Sequence, residues 1–261
     1  MDLNLQGKSA VVCGSTQGIG NAAAHELASL GATIYLMARN AEKLKEAVAA
    51  LPASFGQQHG YIVADFNHPA GVEDAIKAFA KDHQVHILVN NTAGPNPGPA
   101  IDSDIESFRM AFNAHLINNQ ILAQALVPGM KALGYGRIIN VISTSVKQPL
   151  PNLGVSNTIR GAVANWSKTL AMELGQFNIT VNNVLPGATE TGRLDQIMQN
   201  KAGKTGVTVD EVKHEMSSEV PMKRLGKPHE IGAAIAFLAS PAASYINGIN
   251  VPVDGGRTLC L

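Results

Sequence analysis

"VVCGSTQGIGNAAAHEL", residues Val11 to Leu27, decides how the rest of the chain is read. An apolar run ends at Cys13. Gly14, Gly18 and Gly20 follow, and then an alanine-rich stretch that Gly31 closes. This is a buried strand, a tight turn and a helix. Glycines let backbone approach a ligand closely, and a helix N-terminus offers free N–H groups and a positive dipole end. In α/β folds that is where a dinucleotide pyrophosphate sits. The turn residues are Gly14, Ser15, Thr16, Gln17, Gly18, Ile19 and Gly20. Their spacing is G-x-x-x-G-x-G, and no Lys-Ser or Lys-Thr follows, which argues against a P-loop. The competing reading is a strand–helix turn without a ligand. Its place after the first strand, with a second strand about 20 residues on, favours the dinucleotide.

That second strand ends "YLMARN". An acid here would bind the ribose of NAD. Instead the chain has Ala38 and Arg39, and a cation suits the 2′-phosphate of NADP. NADP(H) is therefore expected over NAD(H), against the alternative of a surface arginine heading a helix.

Further along, apolar strands alternate with helical stretches to the end of the chain. "GYIVADF", "VHILVNN", "GRIINVIS", "ITVNNVLPG" and "GINVPVDGG" read as strands. Helical patterns lie between them, including a long one from about Ile105 to Ala132. Continuous apolar strands bounded by helices predict a parallel sheet covered on both faces. The fold class is α/β: a single-domain Rossmann fold, a doubly wound parallel sheet spanning 1–261. A polar stretch from Thr189 to Lys227 breaks the rhythm and is expected to be a substrate lid or binding loop at about 189–227, without a second core.

Bulk properties narrow the class. Charged residues make up 15% of the 261 and the formal net charge is zero, which favours neither nucleic acid nor an anionic membrane. No apolar run reaches the length of about 20 residues needed to span a bilayer. "MDLNLQGKSAVVCG" lacks the pattern of a signal peptide. The two cysteines, Cys13 and Cys260, are expected to stay unpaired in a reducing cytosol, which makes the expected location cytoplasmic. No Cys/His cluster has metal-ligand spacing, so no metal is expected.

With these motifs in order, the chain resembles the short-chain dehydrogenase/reductase superfamily, most closely its 3-oxoacyl-[acyl-carrier-protein] reductase-like members, over about Leu5 to Gly256. "GSTQGIG" matches the family's cofactor turn. "ADF" puts Asp65 and Phe66 near the adenine. "LVNNTAG" resembles the family's N-N-A-G, with Asn90 and Asn91 in place and Thr92 and Ala93 replacing Ala-Gly. "FNAHL" supplies Asn113 and "INVISTS" supplies Ser143, two members of the catalytic tetrad. "VNNVLPGATET" resembles the turn beside the nicotinamide, which implies contacts from Pro186, Gly187, Thr189 and Thr191. "VPVDGG" matches the C-terminal signature. The resemblance also implies a homotetramer or homodimer, with the stretch Ile105–Ala132 and the one containing Trp166 as interface helices.

The resemblance fails at one pair. The family's tyrosine lies thirteen residues beyond the serine and its lysine four further on. Those positions hold Ser156 and Arg160, and no Tyr-x-x-x-Lys occurs elsewhere. The small residues Gly161 and Ala162 that follow support the register. Hydride addition to a carbonyl builds an alkoxide that needs an acid. Tyrosine, which ordinarily titrates near pH ~10, supplies one when a cation lies beside it. A serine hydroxyl is a much weaker acid, and an arginine with a pKa above about 12 holds ribose hydroxyls without passing protons. Asn113, Ser143, Ser156 and Arg160 thus form an atypical tetrad, with Arg160 also a candidate cofactor contact. The leading expectation is an NADP(H)-dependent oxidoreductase reducing a carbonyl or oxidising an alcohol on a small molecule or acyl thioester. The alternative is a cofactor-binding pseudoenzyme that works as a sensor or oligomer subunit with little catalysis; a bare scaffold is disfavoured by the intact glycine turn. Lys147 is a candidate proton donor, against an ordinary solvated loop lysine. His115 lies about 200° round the helix from Asn113 and is expected to be a packing or interface residue, with a proton-relay role as the lesser alternative.

Overall fold

The computed structural model describes residues 1–260. Seven strands run β1 Ser9–Cys13, β2 Thr33–Ala38, β3 Gly60–Val63, β4 Ile87–Asn90, β5 Gly136–Val141, β6 Ile179–Pro186 and β7 Asn250–Val253. They form one sheet of order β3-β2-β1-β4-β5-β6-β7, every pair parallel. The order reverses between β1 and β4, which opens a crevice at their carboxyl ends.

Alternate residues of one strand feed opposite cores. Ala10 and Val12 of β1 face the cluster built with α1 (Gly18–Ser29), α2 (Ala41–Ala49) and α9 (Pro228–Ala239), while Val11 and Cys13 face the other. That second cluster is closed by α3 (Pro69–Asp82), α5 (Asn118–Leu133) and α6 (Gly154–Leu174). This two-sided burial explains why the strands read as unbroken apolar runs. Small residues let α1 and α9 approach: a β-carbon on Gly232 would lie 3.0 Å from the Ala22 carbonyl.

Four parallel strands also carry an asparagine in register, buried in three of them and half-buried at Asn250. Asn90 Nδ2 donates to Asn140 Oδ1 at 2.8 Å, Asn140 Nδ2 to Asn183 Oδ1 at 3.0 Å, and Asn183 Nδ2 to Asn250 Oδ1 at 2.8 Å. The ladder crosses β4, β5, β6 and β7 and fixes their relative shift, since a one-residue slip would strand every amide among apolar side chains.

Two expectations are corrected. The stretch Ile105–Ala132 is not one regular helix: α4 (Ile105–Phe112) passes through a π-helical turn, Asn113–Ile117, before α5 begins. The polar stretch 189–227 is not a loop but holds α7 (Gly192–Thr205) and α8 (Val209–Ser218). Leu194, Met198, Val212 and Leu225 give them a small apolar cluster of their own. Helix α6 begins at Gly154. A β-carbon on Gly154 would stand 2.4 Å from Ala100, so only glycine admits the loop that pairs there. Among the described residues no helix is long and apolar enough to cross a membrane, and both cysteines are free thiols.

Candidate active site

The carboxyl ends of β1, β4, β5 and β6 meet in the crevice, each followed by one of the segments singled out in the sequence. After β1, Gly14 and Gly18 take the left-handed conformation with φ of 57° and 60°. A β-carbon on Gly14 would lie 2.4 Å from the Asn91 carbonyl oxygen, and one on Gly20 would lie 2.4 Å from the Gly14 carbonyl oxygen. Asn91 ties the two strands further, its Nδ2 donating to the Cys13 and Gly14 carbonyls at 3.3 and 3.2 Å. Ser15 is fully buried, and its Oγ accepts from Met37 N at 3.1 Å, anchoring the turn to β2. Its hydroxyl thus has a structural partner already. Exposed Gln17 caps α1 without a side-chain bond and no acid lies in the first turn, so this helix end keeps its positive character.

Beyond β2, Arg39 is exposed and makes no ion pair among the described residues. Asp65 and Phe66 follow β3, two strands away from β1. Asp65 Oδ1 accepts from Asn67 N at 3.0 Å, and the Phe66 carbonyl accepts from Asn118 Nδ2 at 2.7 Å.

Past β5, Ser143 caps a short turn, its Oγ accepting from Ser145 N at 3.1 Å. Its own O–H therefore stays available as a donor. Ser156 is half-buried in the first turn of α6, one helical turn before Arg160. Arg160 is buried, and its Nη1 donates to the Val141 carbonyl at 2.9 Å. No carboxylate pairs with it among the described residues. Burial pushes this guanidinium down to about 10, below the ordinary arginine range yet still charged at neutral pH. Its Nη2 reaches toward Gly94, 3.9 Å from where a β-carbon would stand.

Asn113 opens the π turn, its carbonyl accepting from Asn118 N. His115, inside the same turn, is only 2% exposed and lies 2.5 Å from Thr92 Oγ1 through Nδ1. It is buried against the segment after β4 that holds Asn91, Thr92 and Ala93. Burial and then the Arg160 charge hold its ring well below the usual histidine range, against a smaller opposite effect of the Ala93 backbone. The unfolded chain takes up a proton below its ordinary value of 6.5, and the folded chain does not. This contribution to stability is therefore complete above about pH 6.5 and is lost as pH falls toward the folded-state value. Half-buried His86 is depressed the same way, by burial and Lys8. Urea unfolding should give a stability lower at pH 5.5 than at 7.5 by about 1 kcal/mol on account of His115 and by less for His86, with a shallower slope in His115→Asn; an identical slope in the variant would contradict this.

After β6, Pro186 leads to Gly187, whose N donates to the Val253 carbonyl at 3.0 Å. Buried Thr189 turns back on the Gly187 carbonyl at 3.0 Å. Thr191 caps α7 and brings its methyl within 3.4 Å of the β-carbon position on Gly18, so the base of the 189–227 segment meets the glycine turn. Arg193 Nη2 donates to the Pro95 carbonyl at 2.8 Å and ties the same segment to the loop after β4. Lys147 is half-buried beyond Ser143, its carbonyl facing Cys260 Sγ at 3.6 Å. No tyrosine replaces the missing acid. Tyr35 packs on Phe79 and His83, the Tyr135 hydroxyl donates to the Ala239 carbonyl, Tyr61 lies in β3, and Tyr245 is fully exposed before β7. At these strand ends Asn91 and Thr191 meet the glycine turn, Thr92 meets His115, and Arg160 reaches Val141 and Gly94, while Ser143 follows β5 and Ser156 stands in the first turn of α6. Asp65, Phe66 and Arg39 lie on the β2–β3 side of the crevice. Sequence reasoning misses the anchoring role of Ser15, the asparagine ladder and the contact of His115; only the ladder leaves a signal, an asparagine inside each of four apolar runs.

The fold is shared with known proteins. A family model described as enoyl-(acyl carrier protein) reductase matches residues 14–258. The NADPH-dependent reductase BacG of Bacillus subtilis is 30% identical over 253 residues, 95% of this chain and 97% of its own length. The 7alpha-hydroxysteroid dehydrogenase of Escherichia coli K12 is 30% identical over 258 residues, 98% of this chain and 96% of its own. Among solved structures, the L-sorbose reductase of Gluconobacter frateurii complexed with NADPH and L-sorbose is 33% identical with a TM-score of 0.94, each chain covered completely.

Proposed function

From the premise that this chain belongs to the short-chain dehydrogenase/reductase superfamily and is an oxidoreductase of that type, we propose that it uses NADP(H) in preference to NAD(H), through the residues of the crevice, on a small molecule yet to be identified. The observation that carries the reading is the glycine turn. Its backbone is packed so closely on Asn91 that no β-carbon fits at Gly14 or Gly20, and it presents an uncapped, acid-free helix end to the crevice. That cradle fits a dinucleotide pyrophosphate.

Gly14 to Gly20 would hold the pyrophosphate, and exposed Arg39 the 2′-phosphate. Asp65 and Phe66 would flank the adenine. Asn91, Thr92 and Ala93 with Arg160 would hold the ribose near the reacting end, and Pro186, Gly187, Thr189 and Thr191 the nicotinamide. When bound, the cofactor supplies or accepts a hydride. The chain's own contribution is to the substrate oxygen. Ser143 and Ser156 offer O–H donors to it. Arg160, a buried cation without a carboxylate partner, favours negative charge developing there. Asn113 contributes through the backbone of the π turn, and α7 and α8 serve as the lid over 189–227. The same reading takes the chain as a homotetramer or homodimer, supported by the family resemblance, and as cytoplasmic, supported by its two unpaired cysteines.

The pseudoenzyme reading has one specific observation in its favour: Arg160 is anchored on Val141 and no tyrosine reaches the crevice. A titration decides between occupied and vacant cofactor sites. At a hundredfold excess over Kd, NADPH should stabilise the fold by about 2.7 kcal/mol in thermal unfolding. Arg39→Asp should weaken NADPH at least tenfold while leaving NADH nearly unchanged. Equal losses for both would remove Arg39 from the 2′-phosphate. No shift with either cofactor would defeat the oxidoreductase mechanism.

A further inference from the structure

The segment Asn91–Pro95 is held from four sides. Asn91 is bonded to the glycine turn, Gly94 faces the Arg160 guanidinium, whose Nη2 would lie 3.9 Å from a β-carbon there, and the Pro95 carbonyl is bonded to Arg193 of α7. The fourth hold is the 2.5 Å contact between Thr92 Oγ1 and His115 Nδ1. This contact joins the end of β4 to the π turn, in which Asn113 is the first residue. A π turn carries its backbone bonds one residue further on than an α-helix does, so it bulges locally and re-aims side chains. Here the bulge places a buried imidazole against the segment rather than an apolar side chain. His115 Nε2 is also buried, with no hydrogen-bond partner among the described residues. A packing residue gains nothing from that polar atom; an apolar ring would fill the space without it. The polar contact the imidazole makes at Thr92 is through its other nitrogen, Nδ1.

We propose that His115 is a positioning residue for cofactor binding: a neutral imidazole that fixes the Thr92 hydroxyl, and with it the Asn91–Ala93 backbone, at the ribose end of the crevice. The inference deepens the cofactor reading given above and rests on it. Arg160 on α6 is the charged group that faces His115, and it disfavours a second positive charge there. Neutrality leaves one ring nitrogen an acceptor and one a donor, so the ring and the hydroxyl bond to each other in either tautomer.

The test is a double-mutant cycle read in the NADPH and NADH dissociation constants, with the melting temperature of the cofactor-free protein as the check on folding. Thr92→Val keeps the shape and loses the hydroxyl. His115→Phe keeps a ring and loses both nitrogens. Each should weaken both cofactors about five- to tenfold, the loss expected of one hydrogen bond, unlike Arg39→Asp, which separates them. The double variant should be no weaker than either single, because the pair acts as one unit. His115→Asn, whose amide reaches the Nδ1 position, should return to within about twofold of wild type. Losses that multiply in the double variant would overturn the proposal, as would a His115→Asn protein as weak as His115→Phe or a His115→Phe protein that binds like wild type. A wild-type protein that binds neither cofactor would defeat the underlying reading instead, and this one with it.

Discussion

Gly14→Ala should cost about 3 kcal/mol of stability and weaken NADPH binding by two orders of magnitude or more, although it adds a single methyl group. Two costs combine. The residue sits at φ 57°, which any side chain disfavours by about 1–2 kcal/mol. The new carbon would also stand 2.4 Å from a backbone oxygen of Asn91 and 2.9 Å from its amide nitrogen. Neither neighbour is a flexible side-chain end, since that amide is itself bonded to the Cys13 and Gly14 carbonyls. The turn must therefore move as a body, and overpacking of that kind costs roughly 1–3 kcal/mol. Gly7→Ala supplies the control. Gly7 has φ 73° but open space around its β-carbon position, so it should show the backbone cost alone, about 1 kcal/mol, with NADPH binding unchanged. Urea unfolding and cofactor titration of the two variants separate strain from fit. If both proteins lose the same stability and both still bind NADPH, the close packing of the turn on Asn91 has no functional weight.

The same contrast shows what a sequence exposes. Gly14, Gly18 and Gly20 are legible because glycine after a strand has few uses, and the parallel sheet follows from apolar runs separated by helices. Residues whose role depends on distant neighbours are not legible. Gly154 looks like a loop residue until Ala100 is seen against it. Ser15 belongs to the cofactor motif by position, yet its hydroxyl is committed to Met37. The segment 189–227 is polar enough to read as a loop, because α7 and α8 bury only one narrow face each. Thr191 and Thr208 cap them in the way their sequences allow, the latter in a box with Glu211. The angle of His115 from Asn113 presumes a regular helix, and the π turn is not regular. Arg160 reads in the sequence as a free ribose ligand with an ordinary arginine pKa; its burial against Val141 is invisible there because it depends on where β5 ends.

That burial sharpens what the pair at positions 156 and 160 should do when restored. Ser156→Tyr combined with Arg160→Lys should raise NADPH-dependent turnover of an activated aryl ketone on the order of a hundredfold, the low end of what a well-placed general acid supplies. Ser156 is half-buried in the first turn of α6, so a phenol there extends from a fixed helix rather than from a loop. One turn later, a lysine could still donate to the Val141 carbonyl that Arg160 now uses, and its charge would lower the phenol's pKa toward the working range. The single variants order the two effects. Ser156→Tyr alone gains an acid beside an existing buried cation and should give most of the increase. Arg160→Lys alone should fall below wild type, because it trades a planar, anchored cation for a shorter and more strongly hydrated one and adds no acid. An increase confined to the tyrosine-bearing proteins would mean that the crevice is built for carbonyl chemistry and that proton supply limits it. No increase, in proteins that still bind NADPH, would mean that Ser143, Ser156 and Arg160 do not meet at a carbonyl oxygen, and the reaction would have to be sought among substrates that bring their own proton.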